Sequence, residues 1–302
     1  MFPYAGEVFS LSSAILWALA IILFKKSTKN VHHLGLNFFK NGAVILIFYI
    51  SAVISTGSFF PEISLHDFIL IAISGILGMG ISDSLFFKSV AILESNQIAI
   101  VLCSYGFFIL ILSYIILGET LTVLQFIGVV LIFIGIYFTL ANKENYQYKN
   151  STKNTEKKIN GMIYGFLAML AAALGVIVMK PLLNKYSFYW IINFRLFAGL
   201  LYLTFYLMFF KNKKEIIKSI FIDKSSFKYL IIATLIGTYF AMILWMLGIK
   251  YTKVSIASIL NQMSNIFVFI FGIIFFAEKY DWKKAFSILI ATLGTILITF
   301  GK

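Results

Sequence analysis

Apolar stretches of about 20 residues, the length a helix needs to cross a bilayer core, recur ten times in this chain. They run at 8–26, 36–56, 67–90, 96–117, 121–141, 161–180, 188–210, 228–249, 254–276 and 283–301. Each run is continuously apolar. The alternation of a membrane β-barrel is absent, so helices are the expected element. Composition agrees: of 302 residues, 61% are hydrophobic and only 12% are charged, and the mean hydropathy is +0.95. Too little polar residue remains to coat a water-soluble fold. Soluble enzymes, nucleic-acid binders and disordered chains are thereby excluded. The opening MFPYAGEVFSLSSAILWALAIILF has no basic leader and no clean cleavage site, so it is read as a first transmembrane helix.

Metal and redox chemistry find no foothold. Cys103 is the single cysteine, which precludes an internal disulfide and a thiolate metal cluster. His32, His33 and His66 lie at polar breaks without ligand spacing. No cofactor or metal is expected.

Two polar stretches interrupt the pattern. NKENYQYKNSTKNTEKKIN, 142–160, reads as a flexible linker. In KNKKEIIKSIFIDKSSFK, 211–228, Ile216, Ile217, Ile220 and Phe221 have helical spacing, as in an amphipathic segment lying on the membrane surface. The linker falls near the midpoint, and the halves echo each other. A shift of 159 residues aligns Phe108 with Phe267, Glu119 with Glu278 and Gly135 with Gly294; a shift of 155 aligns Gly6 with Gly161, Lys25 with Lys180 and Lys40 with Arg195. Five helices per half is an odd number, so the second half must enter from the opposite side. The expected fold is an all-α integral membrane protein with ten transmembrane helices as two inverted five-helix repeats. Residues 1–141 form the first, 142–160 the linker and 161–302 the second.

Particular residues carry a family resemblance. They are WALAIILFK at 17–25, Phe39-Lys40, GETLTVLQFIGVVLIFIGIYF at 118–138 and its echo AEKYDWKKAFSILIATLGTILITF at 277–300. With these the chain resembles an EamA-type member of the drug/metabolite transporter superfamily. Ala172 stands opposite Trp17, and Met242 opposite Asp83, as departures from a strict repeat. The resemblance implies a secondary transporter of small organic metabolites, such as amino acids or drugs, working by alternating access through a central cavity. It also implies a bacterial cytoplasmic (inner) membrane. The partners are then a small-molecule solute and membrane lipid, with no nucleic acid. Proton coupling stays open, and a monomer is compatible with the scheme.

Charges inside spans point to the mechanism, because each costs about 2.5–3.5 kcal/mol on insertion scales. Lys40, Asp83 and Arg195 are the three that lie clearly within spans, away from their ends. Lys40 lies shortly after the start of the second span and Asp83 shortly before the end of the third, and those two ends face the same side of the membrane. Similar depth predicts an ion pair or a shared polar site. It either fixes helix packing or contacts substrate, with Asp83 able to titrate in a proton-coupled cycle. Arg195 either snorkels to the headgroups, attracts an anionic substrate group, or pairs with Glu119. Ser258, Asn261 and Asn265 share one helix face by their spacing of three and four. Asn37, Asn41, Gln97 and Tyr105 are further polar candidates, and Phe87 and Trp245 candidate apolar walls. Gly75, Gly78, Gly80 and Gly237 suit either a flexing helix or close packing. Glu119 and Glu278 read as helix stops.

Two orientation arguments disagree. Most of the 25 Lys and Arg lie in odd-numbered loops, which the positive-inside rule assigns to the cytoplasm, leaving both termini outside. The +13 charge is then mainly a topology signal. The resemblance implies cytoplasmic termini. As alternatives to transport, a membrane-embedded enzyme lacks a nucleophile constellation, and adjacent His66 and Asp67 are expected to point apart. A structural membrane protein would leave the polar faces in both halves unexplained. The Gly-rich Lys-Ser/Thr loop of ATP-driven machines is absent.

Overall fold

A computed structural model describes residues 3–27, 31–93, 95–141, 152–276 and 282–301. Among the described residues the chain is helical and has no strands. We number the helices α1 (Ala5–Ser27), α2 (His33–Thr56), α3 (Leu65–Ile92), α4 (Ser95–Leu117), α5 (Val123–Ala141), α6 (Thr152–Met179), α7 (Phe188–Met208), α8 (Lys213–Lys218), α9 (Lys224–Tyr251), α10 (Val254–Asn261), α11 (Ser264–Phe276) and α12 (Trp282–Phe300). Among the described residues, six helices are long and apolar enough to cross a membrane: those spanning Ala5–Phe24, His33–Thr56, Leu65–Ile92, Glu156–Asn184, Phe188–Met208 and Lys224–Tyr251. The other apolar runs fall on the shorter segments Ser104–Leu117, Val123–Gly135, Val254–Val268 and Leu289–Phe300. Large apolar side chains such as Ile54, Phe60, Tyr114 and Val123 point outward, as lipid requires.

Local chemistry sets the helix ends. Ser64 caps α3 by accepting from the Asp67 N–H, and Asp223 caps α9 by accepting from Ser225 and Ser226. Gly57 and Gly118 end α2 and α4 with φ of 68° and 65°, a region that favours glycine. His32 caps α2 through Nδ1, and its partial burial pushes its pKa below the ordinary value because the charged ring loses hydration.

The packing follows a paired scheme. Helix α1 lies along α9, α10 and α11, while α6 lies along α3 and α4; α2 packs on α7, and α5 on α12. Small residues allow these approaches. Gly6 abuts Thr252 at the end of α9, and Gly161 abuts Leu93 at the end of α3. Gly128 and Gly294 let α5 and α12 touch backbone to backbone: a Cβ on Gly294 would lie 2.6 Å from the Gly128 carbonyl oxygen.

Three expectations need correction. Helix α6 starts at Thr152, so residues 152–160 are helical rather than linker; the Lys and Glu there favour helix over coil. The 213–221 segment is helical but docks on the bundle, with Ile216 and Ile220 buried against neighbours that include Leu34, Leu207 and Leu230. The expected 254–276 helix is broken at Gln262–Met263. There the chain tightens into i→i+3 bonds, with the Met263 N–H donating to Leu260 and the Asn265 N–H to Gln262. Residues 142–151, Glu278 and the side chain of Gln97 lie outside the described residues.

Gly294→Val should wedge α5 from α12 and cost about 1–3 kcal/mol of stability. The purified variant is expected to unfold at a lower temperature in detergent than wild type.

Candidate functional site

The site begins with a wide turn. Residues Ile76–Ser82 of α3 form a π-helical segment, and Thr234–Ala241 of α9 form another. Such segments disturb the regular backbone ladder and recur at functional sites. Both contain the glycine the sequence singled out, Gly78 in one and Gly237 in the other.

Polar side chains from other helices serve both turns. The Met79 carbonyl in the first accepts from Asn37 Nδ2 at 3.1 Å and Asn41 Nδ2 at 3.2 Å. Asn37 also reaches Ser84 Oγ at 3.2 Å. In the second, the Ala241 carbonyl accepts from Ser13 Oγ at 2.9 Å, and Asn261 Nδ2 donates to Ser13 Oγ at 3.1 Å. Asn193 donates to the Ile45 carbonyl at 2.7 Å, tying α7 to α2. Gln262 Nε2 donates to the Leu102 carbonyl at 3.1 Å, and Asn265 to Gln262 Oε1 at 3.0 Å. The helix break therefore disrupts the single polar face expected of Ser258, Asn261 and Asn265.

The expected ion pair forms. Lys40 Nζ donates to Asp83 Oδ2 at 2.7 Å, with side-chain exposures of 3% and 23%. Asp83 closes the first π-turn, so the wide turn and the charge are neighbours on α3. Arg195 does not snorkel. Its residue exposure is 1%, and Glu119 is engaged elsewhere. Its backbone packs on Gly75, and its guanidinium lies where a side chain on Gly78 would be: a Cβ there would stand 2.8 Å from Nη2. Nη1 donates to Met179 Sδ, and Asp83 and Tyr105 lie within electrostatic reach. Arg195 is held because α3 gives up side chains opposite it.

Phe87 is buried against Phe24, with ring centroids 6.0 Å apart, and acts as packing between α1 and α3. Tyr105 and Trp245 are partly buried against the core that includes Leu196 and Ala257.

At one end of the bundle a second charged pair clamps the α9–α10 corner. Glu119 accepts from the Val254 N–H at 2.8 Å, the Ser255 N–H at 2.9 Å and Ser255 Oγ at 2.7 Å, capping α10. Lys180 donates to the Ile249 and Thr252 carbonyls at the end of α9. Each charge meets the helix end its sign favours. Glu119 thus follows the Gly118 end of α4 and caps the start of α10. Lys180 was visible only as the repeat partner of Lys25, and Ser13 carried no signal. His66 and Asp67 are closer than adjacency implied, at 3.3 Å. Asp67 sits at a helix start and also accepts from Tyr186 at 2.8 Å and Lys185 at 3.3 Å, tying α3 to the α6–α7 connection. No group of residues suited to a metal occurs among the described residues.

Residues 4–141 and 159–300 each match the model of the EamA-like transporter family. The chain belongs to that family. This EamA-family chain is 26% identical over 297 residues to an uncharacterized transporter of Archaeoglobus fulgidus, covering 96% of each. A solved crystal structure shares the fold with a TM-score of 0.75 at 13% identity, covering 98% of this chain and 96% of the other. Family and apolar helices together identify an integral membrane protein of transporter type.

Asp83→Leu should strand the buried Lys40 ammonium and cost about 3 kcal/mol, while the double variant Lys40→Met/Asp83→Leu recovers most of that loss. Unfolding midpoints of wild type, Asp83→Leu, Lys40→Met and the double variant in mixed micelles give the coupling. Glu119→Ala should remove the α10 cap and cost about 1–2 kcal/mol, read in the same assay.

Proposed function

We propose that this chain is a secondary transporter of small organic solutes, amino acids and related metabolites among them. It works by alternating access between two inverted five-helix repeats, residues 1–141 and 161–302. In this reading the four shorter apolar segments also cross the bilayer, giving ten crossings in a cytoplasmic membrane. The observation that carries the proposal is the buried charge set of Lys40, Asp83 and Arg195 between α2, α3 and α7. At 1.5 Å per residue, Lys40 and Arg195 each lie about 10 Å along their helices, from opposite ends. Packing alone is served more cheaply by apolar side chains, so charges kept at this depth favour a site that handles a polar solute. The α10–α11 break and the two π-turns add irregular backbone inside the bundle, as transporter sites have.

Drive comes from a solute gradient or a coupled ion, with Asp83 the group to carry a proton. Asn in place of Asp83 keeps an acceptor for Lys40 and removes the charge. Asp83→Asn is therefore expected to purify folded and to lose flux by roughly tenfold or more, a barrier change above about 1.4 kcal/mol. Counterflow into proteoliposomes preloaded with an amino-acid and metabolite panel, with and without a pH gradient, measures this. Wild-type flux in the variant would remove Asp83 from the mechanism.

A further inference from the structure

We propose that Arg195, Tyr105 and Ser258 form an anion subsite that binds the carboxylate of a small, largely apolar organic acid. The inference rests on the transport reading and names the class of solute.

Three buried polar groups on three helices are poorly served. Arg195 of α7 is 1% exposed, its hydrogen bond is to a thioether sulfur, and its Nε has no partner among the described residues. A thioether is a weak acceptor. The Tyr105 hydroxyl of α4 and the Ser258 hydroxyl of α10 are also buried, and each has only the other for company. They lie beside each other, and Tyr105 lies within electrostatic reach of Arg195. Unmet buried donors are costly and rare in native structures. Here a guanidinium, which only donates, stands with two hydroxyls that can donate. What they lack in common is an acceptor-rich, negatively charged group.

Charge balance points the same way. Lys40, Arg195 and Asp83 sum to one positive charge, and Asp83 is already bound to Lys40 at 2.7 Å. An organic anion completes the set, and the planar guanidinium matches a carboxylate in two-point geometry. The surroundings are apolar and aromatic: Phe108, Trp245, Met179 and Met246 belong to the core around Tyr105. They suit an apolar remainder of the solute. The site is closed in this arrangement. Ser258 lies four residues before the α10–α11 break at Gln262, where the helical ladder is interrupted.

The test uses purified full-length protein in detergent with matched probes: benzoate against benzamide, and 3-phenylpropionate against its amide. The acids should raise the melting temperature at millimolar concentration and the amides should not. Tyr105→Phe should weaken acid binding roughly fivefold, the value of one hydrogen bond. Arg195→Gln should weaken it on the order of a hundredfold, as expected for losing a buried charge partner. Where Arg195→Gln does not fold, the wild-type acid–amide contrast and Tyr105→Phe still decide. Equal protection by acid and amide, undiminished binding to Arg195→Gln, or no acid protection overturns the subsite. Counterflow of neutral or amine solutes without acid binding overturns it while transport stands. Acid-specific protection with no flux of any solute leaves the subsite and removes the transport reading.

Discussion

A backbone carbonyl inside a bilayer has no water to turn to, and the irregular parts of this bundle are arranged around that constraint. Met79 is the clearest case. It lies in a widened turn of α3, and two asparagines of α2 donate to its carbonyl oxygen. Ser13, backed by Asn261, does the same for Ala241 in α9. At the α9–α10 corner, Lys180 takes carbonyls from one helix end and Glu119 takes N–H groups from the next. Much of the internal polar chemistry is thus occupied in making irregular backbone tolerable. Residues left over from that duty are the ones to ask about function.

By that sorting the candidates separate. Asn37, Asn41, Asn193 and Gln262 direct their amide nitrogens to backbone carbonyls, with Asn41 Oδ1 left over, and Phe87 is occupied with packing. Lys40 and Asp83 neutralise each other. The Arg195 Nε has no partner among the described residues, and the Tyr105 and Ser258 hydroxyls beside it have only each other. The ion pair explains why Lys40 can be buried. It does not explain Arg195, whose nearby acid is already engaged. A buried guanidinium served by a methionine sulfur is poor design for stability alone.

How much of this could be read in the sequence varied with the kind of signal. Ten apolar runs were plain because hydropathy averages over a whole span. The Lys40–Asp83 pair followed from counting residues from span ends, since helical rise turns sequence distance into depth. The π-turns were hidden, because an apolar run looks the same in α and π geometry; only the cluster Gly75, Gly78 and Gly80 hinted at one. The break at 262–263 falls in the polar cluster Asn261-Gln262-Met263-Ser264-Asn265, whose spacing fits one face of a continuous helix as well as it fits a break. Arg195 misled because its burial depends on a residue far away in sequence. Gly78 makes room for the guanidinium, and one chain position cannot announce what another has vacated.

The halves agree in scaffold and differ in site. Gly6 against Thr252 answers Gly161 against Leu93, and a π-turn occurs at matched places in α3 and α9. Ser10 beside Gly248 is answered by Gly165 beside Ser89, with serine and glycine exchanged. Near the charges the correspondence stops. Asp83 has Met242 at its matched position, Lys40 has Arg195, and α4 runs unbroken where α10 and α11 part. Scaffold contacts set how two similar bodies meet, so duplicate solutions serve both. A solute with a carboxylate at one end and an apolar body at the other offers the two halves different groups. A site for such a solute would need different groups on its two sides, and under the proposed function the mismatched positions are the ones that meet that need.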